Sequence, residues 1–222
     1  MRNEDLFPSD GKFTYPEHPF DPGLCDTIAK LRPGLTDVAL AGLLSHQCIA
    51  LIAQVNSWDQ DLYTSLREHD IYSLHEMSTN SRNVTLCSEL LQKPGLTLVE
   101  QLLILALMGF CYSADKTHAM FWLTNAYLQI HCRYLNAARI EVTDKNEDYM
   151  TWISTVLVAT FDPGSQAWLL ALSILKSRPK PRDWQDNVRL CENYFWNDGL
   201  SLRLASKIGY LRNIDVARTD RD

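Results

Sequence analysis

Apolar residues recur at three- and four-residue intervals along most of the chain, the repeat of an amphipathic helix and not the alternation of a strand. The pattern predicts helices near 24–31, 36–55, 59–77, 84–92, 97–113, 116–138, 145–160, 163–176, 183–196 and 199–212. Only "RIEVT" (139–143) would pass for a strand. The short linkers predict one compact all-α array of about ten helices packed as antiparallel pairs. "TLVEQLLILALMGFCYS" (97–113) is apolar on nearly every side, so it is expected at the centre. In the next helix, Ala119, Trp122, Leu123, Ala126, Tyr127, Ile130 and Tyr134 share one face, expected to be buried.

Helix starts carry their own signals. "RPGLT" (32–36) recurs as "KPGLT" (93–97), a Pro-Gly turn ending in a threonine able to cap. Thr97 and Glu100 have the spacing of a capping box, in which each side chain satisfies a free N–H of the first turn. Asp144 and Glu147 share that spacing, and Asp162 before Pro163 reads as a cap before a first-turn proline. Residues 1–22, rich in proline, aspartate and aromatic rings, read as an extended arm. A single helical domain is expected over 23–212, with a polar tail at 213–222.

The densest aromatic stretch is "DWQDNVRLCENYFW" (183–196). At about 100° per residue, Trp184, Val188, Cys191 and Phe195 fall within about 60° of one another, and Asp186, Arg189 and Asn193 lie opposite. The rings are therefore expected as core anchors and the carboxylates as a wet face. Truncating a buried Trp184 would cost roughly 3–5 kcal/mol.

Composition narrows the class. Apolar residues make up 46% and charged ones 22%, as in ordinary globular proteins, and the formal net charge of −6 supplies no general attraction for nucleic acid. The N-terminal "MRNEDLFPSD" lacks the apolar segment of a secretory signal, and no apolar run reaches the ~20 residues of a membrane span. Six cysteines stand about twenty or more residues apart, without the close pairs of a zinc site. Reduced, buried thiols inside the cell are expected, which makes the sequon "NVT" (83–85) a chance match.

Reactive constellations are not apparent. His118 and His131 are too far apart along one helix to share an ion, and His69 and His75 point to opposite sides. Ser113–Lys116 and Ser173–Lys176 fit Ser-x-x-Lys, but no lysine-threonine-glycine partner accompanies them. Asp59 and Asp61 diverge on a helix, and "NDGLSLRLA" places Ala205 where a terpene-cyclase magnesium motif needs a carboxylate after Asn197 and Ser201. No phosphate-binding glycine loop occurs. No catalytic residue, metal ligand or cofactor site is assigned. The one charged cluster is "KSRPKPR", where Lys176, Arg178, Lys180 and Arg182 form a candidate partner or nuclear-import patch, against the alternative of a solvated loop at a helix C-terminus.

Three stretches resemble the regulatory region of fungal binuclear zinc-cluster transcription factors. They are "GLTLVEQLLILALMGFCYSADKTHAMFWLTNAYLQI" (95–130), "EDYMTWISTVLVATFDPGSQAWLLAL" (147–172) and "DWQDNVRLCENYFWNDGL" (183–200), and "PFDPGLCDTIAKLRPGLTDVALAGLLS" is similar to that region's opening segment. The six-cysteine zinc module and coiled-coil linker of those factors have no counterpart here. The resemblance therefore implies the regulatory half alone: a non-enzymatic helical domain, nuclear or shared between nucleus and cytoplasm, contacting transcription proteins or a second copy of itself and sensing an effector of unknown identity. Direct nucleic-acid binding, membrane association and secretion are not expected. Two other readings stand beside it. One is a helical enzyme for a small lipophilic substrate, with Trp122, Tyr127, Trp152 and Trp168 lining a cavity; the other is an adaptor of stacked helical hairpins.

Overall fold

Every regular element among the described residues is a helix. The computed structural model describes residues 12–68, 74–114, 130–135, 140–179 and 182–219, with side chains described over 12–60, 81–113, 130–135, 140–179 and 182–209. The chain divides into two compact units, Met1–Met120 and Phe121–Asp222. The span 23–212 runs across both, and each unit has its own helical core.

The first unit holds α1 (Pro22–Ile28), α2 (Pro33–Leu40), α3 (His46–Glu68), α4 (Leu74–Leu91) and α5 (Leu98–Ala114). Helix α5 is the central one, as its all-round apolar sequence predicts: positions 102–112 are all buried, and α4 and α3 pack against it. The predicted helix 36–55 divides at 41–45, where Gly42 takes a φ of +71° that ends α2. Conversely, α3 runs through the break expected near residues 56–58. Its polar residues there have partners on neighbouring segments: Asn56 Nδ2 donates to Lys30 O at 3.0 Å, and Asp59 pairs with Arg32. Trp58 packs edge-on against Phe110 at 6.0 Å. Helix α4 likewise continues through the polar stretch before Asn83, which is fully buried and accepts from Gln54 Nε2 at 2.8 Å.

The two PGLT turns behave differently. At 33–36 the proline opens α2 directly, and Thr36 sits inside the helix with its Oγ1 donating to Arg32 O at 3.2 Å. At 94–97, Gly95 adopts a φ of +99°, and α5 begins only after Thr97. The difference lies three residues on, where Glu100 completes a capping box and Ala39 cannot.

The second unit contains a helical stretch at 130–135, then α6 (Glu147–Thr160), α7 (Gln166–Lys176), α8 (Trp184–Cys191) and α9 (Asp198–Thr219). Helix α6 is its core: of its 14 residues only Asp148 is exposed, and α7, α8 and α9 all pack on it. The residues that begin these helices differ from those expected. Asn146, and not Asp144, precedes α6, and its Oδ1 accepts from Thr143 N at 2.7 Å while Glu147 is buried. Asp162-Pro163-Gly164 forms a turn with Gly164 at φ +85°, so Ser165 caps α7 by accepting from Trp168 N at 3.3 Å.

Two expectations are overturned. Ile130 and Tyr134 are 67% and 82% exposed, whereas Cys132 and Leu135 are buried. Ile130 and Tyr134 are about 40° apart on the wheel, so they do share a face, but that face points to solvent. Cys132 and Leu135, not Ile130 and Tyr134, mark the packed side. The other positions named on that face, Ala119, Trp122, Leu123, Ala126 and Tyr127, lie outside the described residues. The second correction concerns 183–196. Helix α8 ends at Cys191, and Tyr194, Phe195 and Trp196 follow in a turn. Those three rings are buried, and Trp152 donates its Nε1–H to Phe195 O at 3.0 Å and stacks on Tyr194 at 5.0 Å. Trp184 and Val188 are only half-buried, and Asn187 and Cys191 mark the buried side of the helix. Asp186, Arg189 and Asn193 are exposed, as expected.

The revised facing fixes the expected mutational ranking. Phe195→Ala should cost roughly 3–5 kcal/mol, as truncation of a fully buried aromatic does. Trp184→Ala should cost only about 1–2 kcal/mol and Asp186→Ala under about 0.5 kcal/mol. Urea unfolding of the three variants, followed by helical circular dichroism, measures this order.

Candidate functional site

The carboxylate of Glu100 is fully buried at the start of α5 and meets donors from three parts of the chain. Its Oε2 accepts from Thr97 N at 2.9 Å, Thr97 Oγ1 at 2.9 Å and Tyr15 Oη at 2.7 Å, and its Oε1 accepts from Ser45 N at 2.8 Å. Ser45 immediately precedes α3, so one negative charge serves the N-termini of two helices, where the backbone dipoles favour an anion. Burial alone would raise the pKa of Glu100, but the hydrogen bonds from Ser45, Tyr15 and Thr97 outweigh it and hold the group below the usual carboxylate range. Four donors meet this carboxylate, three at Oε2 and one at Oε1. Such a group holds structure together and is poorly suited to moving protons.

The arm joins the same node. Thr14 O accepts from His46 N at 2.8 Å, and Thr14 N donates to Gln47 Oε1 at 3.4 Å. Phe13 lies over Gly95, where an added β-carbon would stand 3.4 Å from Phe13 Cδ2. Tyr15 was not legible as a partner of Glu100, being 85 positions away. Only the acceptor half of the node, the Thr97–Glu100 box, was written locally.

The other ionisable groups of the core are also held in structural roles. Burial pushes the Asp59 carboxyl above its usual range, with Arg32 pulling it back down. Cys48, Cys87, Cys111, Cys132 and Cys191 are buried free thiols, and Cys25 is exposed. Burial raises the pKa of each buried one, Cys132 to about 12, so they stay protonated and weakly nucleophilic near neutral pH. Burial lowers the pKa of half-buried His131; His69, His75 and His118 lie outside the described residues. Ser113 and Ser173 hydroxyls donate to Phe110 O and Leu170 O within their own helices. Asn197 caps α9 by accepting from Leu200 N at 2.9 Å, and Ser201 accepts from Trp196 Nε1 at 2.9 Å.

In the second unit the basic stretch meets acids and amides. Arg178 is half-buried and donates to Asn187 Oδ1 at 2.9 Å and to Leu175 O at 3.1 Å. Arg182 pairs with Asp148 at 2.7 Å and stands 3.6 Å from Glu147. Lys176 is exposed, and Lys180 lies outside the described residues. Of the four candidate patch residues, then, Arg182 pairs at the start of α6 and Arg178 joins the end of α7 to α8. Sequence reasoning missed Asn187, which reads as part of a polar helix face but is buried beneath Arg178. It also missed Lys207, whose Nζ donates to Val158 O at 3.3 Å, Ala159 O at 3.0 Å and Phe161 O at 2.6 Å, capping the C-terminus of α6. Burial lowers the Lys207 pKa to about 8, with Asp162 opposing the shift. Of the four candidate cavity aromatics, Trp152 and Trp168 are buried in this unit, and Trp122 and Tyr127 lie outside the described residues.

No group of three or more His, Cys, Asp or Glu suited to a metal ion occurs among the described residues. Nor is any described helix long and apolar enough to cross a membrane. No family model, curated protein or solved structure matches the chain.

The Glu100 node yields a prediction with a defined sign. Its folded pKa is depressed, so its contribution is complete above the unfolded value of about 4.3 and is lost as pH falls through the folded pKa. Glu100→Gln should cost about 2–3 kcal/mol at pH 7, since the substituted amide nitrogen meets donors instead of accepting from them. Denaturant melts of both proteins should draw together as the pH is lowered below the unfolded value.

Proposed function

We propose that this chain is a non-enzymatic regulatory domain of transcription that acts through contacts with other proteins. The reading rests on one observation above all: Glu100, Asp59 and five of the six cysteines are buried within two helical cores, and both of those carboxylates are held by hydrogen bonds. Glu100 is the clearest case, held by donors from the arm and two helix starts. The resemblance of residues 95–130, 147–172 and 183–200 to the regulatory region of zinc-cluster factors gives the class. In those factors a separate module reads DNA, and the regulatory region acts through contacts with other proteins. Exposed Ile130 and Tyr134 are the sort of apolar side chains that protein contacts use.

Tethering tests this directly. The full chain, fused to an unrelated DNA-binding module, should change expression of a reporter carrying that module's site, whereas the unfused chain should not shift duplex DNA in a gel. An unchanged reporter at equal protein level would count against the proposal. A location in the nucleus, or in nucleus and cytoplasm, belongs to the same reading. Lys176→Ala combined with Lys180→Ala should reduce the nuclear fraction of a fluorescent fusion, with the Arg178 and Arg182 side chains left in place to keep their contacts.

A further inference from the structure

Tyr15 differs from the other described tyrosines in joining two properties. Its side chain is 38% exposed, yet its hydroxyl donates at 2.7 Å to the buried carboxylate of Glu100. Tyr112, Tyr149 and Tyr194 are buried, and Tyr134 projects into solvent. Around Tyr15 the arm is joined to the unit by Thr14, through His46 N and Gln47, and by the contact of Phe13 with Gly95. The Thr14–His46 bond satisfies an N–H of the first turn of α3, so the arm and that turn are joined.

We propose that Tyr15 is a modification site and that phosphorylation of its hydroxyl opens this latch, freeing the arm around residues 13–15 and uncovering the first turn of α3. Transfer of the terminal phosphoryl group of a nucleoside triphosphate would break its bond to the diphosphate, form a bond to Tyr15 Oη and release the hydroxyl proton. The product has no donor for Glu100, and a separation of 2.7 Å leaves no room for three further oxygens. It also sets a charge near −2 against a buried carboxylate, the arrangement in which a phosphate expels a segment. The neighbouring helix-start N–H groups of Ser45 and Thr97 would otherwise favour phosphate, but Glu100 already occupies them. Burial, then the bond to Glu100, also raises the Tyr15 pKa, so the proton that closes the latch is retained at neutral pH.

Full-length chains carrying phosphotyrosine at position 15, tyrosine, or Tyr15→Phe can be compared by amide hydrogen exchange. The phosphorylated chain should exchange the His46 amide at least ~10-fold faster than the unmodified chain, with the 102–110 amides of α5 unchanged. Tyr15→Phe, which loses one hydrogen bond and gains no charge, should accelerate His46 less. Exchange at His46 within about 2-fold of the unmodified chain would overturn the proposal. So would loss of protection throughout α5, since the contact would then be part of the core and not a latch. Incubation of the unmodified chain with a protein tyrosine kinase and ATP should label Tyr15, and failure to label it while Tyr134 is labelled would also count against the site.

Discussion

The first unit depends on where one negative charge is held. Glu100 is buried, and burying an ionised carboxylate is costly unless its acceptor sites are filled. Here the charge is met by the Thr97 and Ser45 amides at two helix starts and by the hydroxyl of Tyr15. Each partner therefore stabilises the charge and is stabilised by it. The node ties three parts of the chain that are far apart in sequence, and it places α5 and α3 with their N-terminal ends together.

The second unit solves the complementary problem at the other end of a helix. Helix α6 is buried along almost its whole length, so its last carbonyls cannot turn to water. Lys207, reaching from α9, supplies the missing donors, and its ammonium also stands 5.8 Å from the Trp168 ring. At the opposite end of α6, Arg182 meets Asp148, while Arg178 joins α7 to Asn187 on α8. One unit thus anchors helix starts with an anion, and the other closes a helix end with a cation, as the macrodipole favours in each case.

The helical class was legible because the 3.6-residue period is repeated in nearly every segment, and α5 was legible because its sequence offers no polar side. The Thr97–Glu100 box could be read because it needs only a local spacing. Boundaries were less visible where polar residues found distant partners. Asn56, Asp59 and Asn83 resemble loop residues until Lys30, Arg32 and Gln54 are placed beside them. The face of 130–135 was misread because large side chains outweigh a cysteine on a hydrophobicity scale, while the burial of Cys132 depends on which neighbour the helix meets. Charge in 176–182 was countable from sequence, but the fate of Arg178 and Arg182 depended on acids and amides from α6 and α8.

The burial of Asn83 has a consequence for the triplet Asn83-Val84-Thr85. The amide nitrogen that would carry a sugar is enclosed, and its carbonyl oxygen is already committed to Gln54 on α3. An oligosaccharide on that nitrogen would have to thread the seam between α3 and α4. Glycan transfer at this triplet is therefore incompatible with the closed first unit, and a chain glycosylated there before folding would be unable to seat α4 against α3.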